Sequence, residues 1–345
     1  MTEAVFAIPG DKDRRTGGFI YEATVLRVLN EIGCATAHLE LPDSFPDPTS
    51  EDMIKTLRCL TEVPVDRPII LDGLVFGTID PEGLSKVRAP VIAMVHHPLG
   101  LEVGLRPERA DFLRSNEAAA LVYADHVIVP SPETARVLTE NFGADRERIT
   151  IAPPGFTRPD VDRTPRSPPL ILSVGLLAPR KGHDVLLDAL AQLSDLPWQA
   201  QIIGKTHDIA TERSLRRQRE HLGLEARVSF EGEVSAQALT ASFNAASIFA
   251  LATRYEGYGM VLGEAMLHAL PIVSCRAGAV PDTLGDAGLL VPPENSRAFA
   301  HALRRLLVEP ETAQHQSALS LERSTHLPSW QDTATIFAHV IRRLR

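Results

Sequence analysis

Short apolar runs rich in β-branched residues alternate along the chain with longer segments whose apolar residues recur at helical spacing. Such alternation is typical of βαβ units, in which crossover helices join parallel strands. It predicts six strands in the front half, at residues 5–9, 35–41, 69–74, 91–96, 126–130 and 149–152. It predicts six more in the back half, at residues 170–174, 199–204, 228–232, 247–251, 272–275 and 288–291.

Two comparable sets of strands predict two facing, Rossmann-like, doubly wound domains, a division that suits a chain of 345 residues. The proline-rich segment 153–169 is unsuited to the interior of a helix or strand, and we interpret it as the interdomain linker. Residues 330–345 carry one apolar stripe, which predicts a closing helix that packs back on the N-terminal domain. The predicted boundaries are 1–160, 161–328 and 329–345.

The formal net charge is −9, and the excess lies in residues 1–163, which hold 17 basic and 26 acidic side chains. A nucleic-acid or anionic-membrane partner favours a basic face instead. The three cysteines are scattered, which argues against disulfides and structural zinc. We find no signal peptide and no apolar run of the ~20 residues that a membrane span needs. We therefore expect a cytoplasmic protein, with a peripheral position at the inner membrane face left open.

The most informative motif is the segment 254–266, RYEGYGMVLGEAM. An apolar run precedes it and helical spacing follows it, so we predict a strand-to-helix turn. Gly257 and Gly259 allow a close backbone approach and positive φ, and the following helix offers free N–H groups to a phosphate. Glu256 and Glu264 flank the turn and are suited to accept hydrogen bonds from sugar hydroxyls. The motif predicts a nucleotide-sugar site.

A second constellation follows a predicted strand that ends at Gly175. Cations at the carboxyl end of a strand suit a phosphate: Lys181 is expected to act as a point charge and Arg180 as a forked donor to diphosphate oxygens. The alternative is a solvated basic helix start capped by His183 or Asp184. Neither half carries the GxGxxG of a nicotinamide-binding fold, which argues against a dehydrogenase.

The back half resembles the donor-binding domain of the retaining family-4 (group 1) glycosyltransferases of GT-B fold. The resemblance rests on the 175–182 loop, the turn at Gly232, the 254–266 motif and the segments 271–273 and 277–292. In the front half it is looser and rests on Gly17 and Gly18, residues 96–98 and residues 154–155. It covers essentially the whole chain.

The resemblance implies that Glu264 binds the ribose diol, that Glu256 contacts hydroxyls of the donor sugar and that Lys181 neutralises the diphosphate. It assigns the catalytic contacts to His96, Lys181, Arg180 and Glu256. It assigns donor binding to Gly17, Gly18, Gly175, Gly232, Glu256, Gly257, Tyr258, Gly259, Met260, Val261 and Glu264. Gly17 and Gly18 are expected to form a backbone loop over the diphosphate, before the first helix.

One departure concerns the arginine that the family usually has after the strand-end glycine, because here that position is Leu176. Either Arg180 supplies the missing charge or the diphosphate is held more weakly. The family's strand-end histidine corresponds best to His96, since residues 96–98 reproduce the His-x-Pro spacing; His97 is the weaker candidate.

Two Asp-x-Asp sequences, Asp11 to Asp13 and Asp160 to Asp162, match a metal motif of another glycosyltransferase fold. We interpret them as loop and linker residues, because a GT-B site neutralises the diphosphate with cations and a helix N-terminus. No metal and no cofactor is therefore expected beyond the nucleoside diphosphate sugar, which is a co-substrate.

The resemblance implies metal-independent transfer of a hexosyl group from a UDP- or GDP-sugar to an acceptor hydroxyl, with retention at the anomeric carbon. Two other functions stay open, namely a GT-B epimerase or phosphorylase and a catalytically silent sugar-nucleotide-binding subunit. The acceptor is unknown, and the acidic front domain slightly favours a soluble acceptor over a lipid. Strand-end candidates for lining its site are Asp72, Gly73 and residues 100–102.

Overall fold

The structure, a computed structural model, describes residues 2–345. The chain forms two compact units. Unit 1 comprises the residues up to Thr157 together with the terminal segment Pro328–Arg345, and unit 2 comprises Arg158–Leu327. Unit 1 is therefore built from both ends of the chain.

Unit 1 has a parallel sheet of six strands flanked by helices. The strands are β1 (Ala4–Pro9), β2 (Thr36–Leu41), β3 (Ile69–Asp72), β4 (Val91–Met94), β5 (His126–Val129) and β6 (Ile149–Ile151). The helices are α1 (Gly17–Glu31), α2 (Ser50–Thr61), α3 (Gly73–Phe76), α4 (Pro81–Leu84), α5 (Pro107–Leu121) and α6 (Pro132–Phe142), with 3-10 turns at Leu99–Leu101 and Arg146–Arg148.

Unit 2 repeats this plan. Its strands are β7 (Leu170–Val174), β8 (Gln199–Ile203), β9 (Val228–Gly232), β10 (Ile248–Leu251), β11 (Ile272–Cys275) and β12 (Leu289–Val291). After a 3-10 turn at Pro179–Lys181, its helices are α7 (His183–Ala191), α8 (Ile209–His221), α9 (Ala236–Ala245), α10 (Met260–Leu267), α11 (Val280–Leu284), α12 (Ser296–Val308) and α13 (Pro310–Ser324). The last helix of the chain, α14 (Trp330–Leu344), belongs to unit 1.

The strand order shows where each sheet can bind a ligand. It is β2-β1-β3-β4-β5-β6 in unit 1 and β12-β11-β10-β7-β8-β9 in unit 2, with every pair parallel. The order reverses between β1 and β3 in unit 1 and between β7 and β10 in unit 2. A crevice opens at such a reversal, at the carboxyl ends of the strands, and ligands bind there. The doubly wound fold predicted for each half is confirmed.

The terminal helix α14 packs against α1 within unit 1. The ring of Tyr21 lies with its centroid 5.7 Å from that of Trp330 and 6.1 Å from that of Phe337. The Thr333 hydroxyl donates a 2.7 Å hydrogen bond to the carbonyl of Pro153, so the helix also fixes the chain just after β6. A capping box at Ser329 starts the helix. The expected packing of this helix on the N-terminal domain is confirmed.

Two predicted strands in unit 1 end earlier than expected. The strand predicted to reach residue 74 stops at Asp72, because that carboxylate accepts hydrogen bonds from Leu74 N and Val75 N and thereby begins α3. The strand predicted to include His96 stops at Met94. Within residues 2–345, every helix is too short or too polar to cross a bilayer.

Candidate active site

The reversal in the sheet of unit 2 brings two turns together. The turn after β7 carries Arg180 and Lys181, and the turn after β10 carries Glu256. Gly182 lets the turns meet, because it has a φ of 64° and a Cβ there would lie 1.9 Å from the carbonyl oxygen of Ala252. The two predicted cations and one predicted carboxylate therefore occupy one edge of the sheet.

These three side chains form an ionic cluster in which Lys181 and Glu256 are buried and Arg180 is partly buried. Lys181 Nζ lies 2.6 Å from Glu256 Oε1, and Arg180 Nη1 lies 3.4 Å from Oε2. The Thr253 hydroxyl donates a further 3.0 Å hydrogen bond to Oε1. Burial acts to raise the pKa of Glu256, but the charges of Lys181 and Arg180 outweigh it, so the pKa lies below its ordinary value. The cluster is thus ionised and carries one net positive charge.

Glu264 lies on α10 and differs from Glu256 in its surroundings. It is partly buried, and within residues 2–345 no side chain or backbone group donates a hydrogen bond to its carboxylate. Burial alone raises the pKa of Glu264 to about 7. A half-protonated carboxyl without a partner at neutral pH is costly for the fold, and such groups are characteristic of ligand sites.

The turn between the two glutamates ends at Gly259, whose φ of 88° places it in the left-handed region before α10. No side chain of the described residues caps this eight-residue helix, so its first N–H groups, including those of Met260 and Val261, face the turn. The carbonyl of Tyr258 accepts a hydrogen bond of 2.5 Å from Thr283, which fixes the turn. A strand-to-helix turn at this motif was predicted, and the structure has one.

Of the remaining predicted glycines of unit 2, two lie at strand ends and one lies in the turn. Gly175 follows β7, and a Cβ there would contact the Lys181 side chain at 3.2 Å. Gly232 ends β9 with a φ of 69° and open space around it. Gly257 directly follows Glu256 in the turn. Their assignment to donor binding stays a prediction.

In unit 1, His96 lies just after β4, and its ring is held by α1. A Cβ at Gly18 would lie 3.5 Å from the His96 ring, so this glycine permits the close approach. Gly17 and Gly18 form the first turn of α1 instead of the loop predicted before it. The expectation of a loop was wrong, because the helix begins directly after Thr16 with both glycines in helical conformation.

The other strand-end candidates of unit 1 have structural partners. Asp72 is buried and caps α3. His97 Nε2 lies 3.7 Å from a carboxylate oxygen of Glu102, which follows the 3-10 turn Leu99–Leu101. Asp72 and Glu102 stay candidates for the acceptor site, and His97 stays the weaker candidate for the strand-end histidine. Within residues 2–345, no group of three or more His, Cys, Asp or Glu side chains is arranged to hold a metal ion.

Arg254 received no role in the sequence analysis. In the structure its hydrogen bonds connect the segments that carry the site. Its backbone N–H donates to the carbonyl of Arg180 at 2.8 Å. Its guanidinium binds both carboxylate oxygens of Asp184, at 2.9 and 2.7 Å, and also bonds Glu294 and the carbonyl of Pro179. Arg254 thus ties the turn after β7 to the start of α7 and to the loop after β12. The only hint in the sequence is that Arg254 lies two residues before Glu256.

For the nucleotide-sugar site that the sequence predicts, replacing Arg254 with alanine is expected to raise KM for the donor and lower kcat, so that kcat/KM falls by about 10-fold or more, because the turn with Arg180 loses its charged hydrogen bonds. Arg254→Lys keeps the charge but loses the bidentate contact to Asp184, and we expect only partial recovery. Steady-state kinetics of the assay described below measures both.

A matched control is Arg304→Ala, which removes a bidentate pair with Asp195 on the surface of the same unit. We expect it to leave kcat and KM unchanged. Equal losses in the Arg254 and Arg304 variants would contradict the positioning role of Arg254.

The loop that starts at Leu176 is held by His183. The imidazole Nε2 lies 3.4 Å from the carbonyl of Gly175 and 3.2 Å from that of Leu176. Burial lowers the pKa of His183 to about 4, so the ring is neutral and donates through Nε2. Leu176, which stands where the family usually has an arginine, is therefore held in place by the buried His183.

Comparisons with solved structures identify the class of fold. Sucrose-phosphate synthase from Thermosynechococcus elongatus superposes with a TM-score of 0.85 at 21% identity, covering 99% of each chain. HepE from Anabaena, in complex with UDP and glucose, gives a TM-score of 0.76 at 17% identity over 99% of this chain and all of that one. The protein has the GT-B glycosyltransferase fold.

Family models and sequence relatives identify the family. Residues 168–309 match the model of glycosyl transferases group 1, and residues 80–157 match glycosyltransferase family 4. The chain belongs to the family-4, group 1 glycosyltransferases.

Two curated relatives show how far the similarity extends. A D-inositol 3-phosphate glycosyltransferase of Corynebacterium glutamicum is 28% identical over 72% of this chain and 65% of its own length. An MMP alpha-(1->4)-mannosyltransferase of Mycolicibacterium hassiacum is 26% identical over 84% of this chain and 74% of its own length. The chain spans slightly less than two thirds of the first of these relatives.

Proposed function

We propose that the protein transfers a hexosyl group from a nucleoside diphosphate sugar to an acceptor hydroxyl, with retention at the anomeric carbon and without a metal ion. The observation that carries the proposal is the site at the strand reversal of unit 2. There a buried cationic cluster and an unpartnered carboxyl flank the uncapped start of α10. Membership in the family supports the reaction class.

Glu264 is suited to the ribose of the donor. No group within residues 2–345 donates a hydrogen bond to its carboxylate, and the two hydroxyls of a ribose diol can each donate one. Hydrogen bonds to the ionised form lower the pKa of a carboxyl, so a bound ribose relieves the cost that burial imposes on Glu264. Because the anionic form is the better acceptor, donor binding is coupled to ionisation of Glu264.

The diphosphate is assigned to Lys181, Arg180 and the start of α10. As the bond between the anomeric carbon and the phosphate oxygen breaks, negative charge grows on the diphosphate, and fixed cations and N–H groups stabilise it. The net positive charge of the cluster persists although Glu256 is ionised. In other enzymes a divalent cation stabilises the charge on a departing diphosphate. We assign that task here to the cluster and the start of α10, and this is the basis for proposing metal independence.

Glu256 is assigned to hydroxyls of the donor sugar. Its pairs with Lys181 and Arg180 keep it ionised and fix its oxygens, so it is prepared to accept hydrogen bonds from the sugar. In the proposed same-face reaction, the acceptor oxygen bonds to the anomeric carbon as the phosphate oxygen departs. The acceptor's proton passes to that departing oxygen, so no protein base is required.

The acceptor is proposed to be a soluble molecule with a free hydroxyl. The excess of acidic side chains in residues 1–163 disfavours an anionic lipid surface. HepE, whose structures contain UDP-glucose, supports a UDP-sugar among the donors to be tested, and the mannosyltransferase relative supports a nucleotide-activated mannose.

The proposal is tested by the thermal stability of the protein with a panel of UDP- and GDP-sugars, with EDTA present. A ligand at ~100 times its dissociation constant stabilises the fold by about 2.7 kcal/mol, so the true donor is expected to raise the melting temperature by several degrees. The donors that bind are then incubated with pooled polyol acceptors, and the released nucleotide is measured. Glu264→Ala is the binding control and is expected to show no shift.

Failure of every nucleotide sugar to stabilise the protein would overturn the assignment of the site. Stabilisation without transfer or hydrolysis would favour a silent binding subunit. A strict requirement for Mg²⁺ or Mn²⁺ would contradict the metal-free reaction.

A further inference from the structure

A second cluster of ionisable groups lies in unit 1, at the reversal of its sheet. Glu22 projects from α1 and has no exposed surface, and Asp72 ends β3 with 3% exposed. His96 follows β4, and a quarter of its side chain is exposed. Three elements thus bring two buried carboxyls to one histidine, which alone reaches solvent.

The histidine ring is fixed at one edge. Its Nε2 lies 3.0 Å from Glu22 Oε1, and the ring of Tyr21 meets it edge-on with centroids 5.1 Å apart. The Tyr21 hydroxyl is itself bonded to the carbonyl of Ala152 at 2.8 Å, so this support is rigid. The other ring nitrogen, Nδ1, has no partner within residues 2–345 and is available to a ligand.

The surroundings of Glu22 determine where the proton lies. The groups that face it are Tyr21 from α1, Asp72 from β3, whose carboxyl acts on it through a side-chain hydrogen bond, and His96 from β4. No cation faces it, and a buried carboxylate without a cation is strongly disfavoured. Burial accordingly raises the pKa of Glu22 to about 8 and lowers the pKa of His96 to about 4.

Asp72 reinforces this arrangement. Burial first, and then the neighbouring Glu22 carboxyl, raise the pKa of Asp72 above its ordinary value. Two hydrogen-bonded carboxyls cannot both ionise in an apolar interior. Because burial also raises the pKa of Glu22 to about 8 and lowers the pKa of His96 to about 4, Glu22 keeps its proton at neutral pH and the imidazole beside it is neutral.

We propose that Glu22 is a positioning residue that donates its carboxyl proton to His96 Nε2, so that His96 presents Nδ1–H to an oxygen atom of the substrate. The neutral imidazole has one proton, and with Nε2 acting as acceptor that proton is on Nδ1. His96 is then a hydrogen-bond donor at neutral pH. When Glu22 ionises, it becomes an acceptor, the imidazole proton moves to Nε2, and Nδ1 can no longer donate. The substrate contact rests on the proposed function; the tautomer does not.

The first experiment observes the tautomer directly in the full-length protein. ¹⁵N NMR with labelled histidine, assigned by a His96→Gln variant, is expected to show a protonated Nδ1 and an unprotonated Nε2 at pH 7. In the wild type, the proton is expected to move to Nε2 above about pH 8. Glu22→Gln keeps a donor toward Nε2 and is expected to hold the Nδ1–H tautomer up to pH 9.5. A protonated Nε2 at pH 7 in the wild type would overturn the proposal.

The second experiment measures the pH dependence of kcat with the donor found above. Wild-type kcat is expected to fall above about pH 8, and in Glu22→Gln this alkaline decrease is expected to vanish while kcat at pH 7 stays within about 3-fold. Glu22→Leu, which cannot donate, is expected to lose about 10-fold or more in kcat at pH 7. The same alkaline decrease in Glu22→Gln would contradict the proposal.

Glu117→Gln is the matched control. Glu117 is a fully buried glutamate of α5 whose pKa burial also raises to about 8, and it has no contact with His96. It is expected to keep the alkaline decrease. If no donor is turned over at all, the proposed function fails while the NMR result still decides the tautomer.

Discussion

Replacing Lys181 with methionine is expected to reduce turnover about 100- to 1000-fold and to destabilise unit 2 by about 3–5 kcal/mol. The rate falls because the departing diphosphate loses a fixed cation. The stability falls because Glu256, only 5% exposed, loses its 2.6 Å partner and keeps only the longer contact to Arg180 at 3.4 Å. One substitution thus affects both the chemistry and the fold.

The loss of stability depends on pH. In the wild type the pKa of Glu256 is lower in the folded protein than in the unfolded chain. The ion pairs of Glu256 therefore stabilise the fold fully at pH values above the unfolded pKa. This stabilisation is lost as the pH falls through the folded pKa. Without Lys181, burial raises the pKa, and the variant loses stability as the pH rises above the unfolded value. The difference from wild type is therefore expected to be largest near pH 7 and smaller near pH 4.5.

The two tryptophans of the chain allow this to be measured in one unit. Trp198 is buried in unit 2 and Trp330 starts α14 of unit 1, so a Trp330→Phe background leaves fluorescence that reports on unit 2 alone. Urea unfolding at pH 7 and pH 4.5 then gives the free energy of unfolding. Lys181→Met combined with Glu256→Gln is expected to recover most of the stability and none of the turnover.

The control for this experiment is Arg305→Met, which breaks an exposed pair with Glu309 at 3.4 Å in the same unit. Exposed pairs contribute little, so we expect a change within about 0.5 kcal/mol. An equally small change for Lys181→Met would show that the buried cluster is not held as described.

Replacing Glu264 with glutamine is expected to weaken donor binding about 10- to 100-fold and, at pH 8, to raise the melting temperature of unit 2. Binding weakens because an amide replaces the ionised acceptor of the ribose diol. Stability rises because the substitution removes a carboxyl that must be ionised, partly buried and without a partner. Gain of stability with loss of function is the signature expected of a binding residue.

The pKa of Glu264 determines how the stability difference between wild type and Glu264→Gln changes with pH. The pKa of Glu264 is about 7 in the folded protein, above its unfolded value. The stability associated with its protonated form is complete below the unfolded pKa and is lost as the pH rises through about 7. Wild type and Glu264→Gln should therefore have similar melting temperatures at pH 4.5 and differ at pH 8. Wild-type donor affinity should increase as the pH rises through about 7.

Calorimetric titration with the donor measures the affinity, and Glu322→Gln, an exposed substitution on α13, is the control. Unchanged donor affinity in Glu264→Gln would remove this residue from the ribose site.

The sequence allowed a good prediction of the fold because the signals are local. Twelve apolar runs mark the strands, and each corresponds to a strand of the structure. The errors fall where a side chain competes with the strand. In the sequence, Asp72 continues an apolar run and is predicted to belong to the strand, yet its carboxylate caps the start of α3. Such a cap depends on the backbone conformation of the next three residues, which the apolar pattern does not encode.

The candidate functional residues differ in the same way. The sequence marks Glu256, Glu264 and Lys181 as candidates because glycines and a change of periodicity surround them, and their roles stay predictions. Glu22 was not, because a glutamate on an amphipathic helix normally faces solvent, and its partner His96 is 74 residues away. Arg254 bonds Asp184 and Glu294, 70 and 40 residues distant. These contacts exist only once the sheet has set the strand order.

The use of both chain ends in unit 1 bears on how the protein is made. Unit 2, Arg158–Leu327, is one continuous stretch, whereas unit 1 lacks the helix that covers Tyr21 until the final residues have been synthesised. Domains generally fold in the order in which they leave the ribosome. Here the second unit can complete its core before α14 has left the ribosome, so a nascent chain exposed only as far as Leu327 would carry a complete second unit beside a first unit that still lacks its last helix.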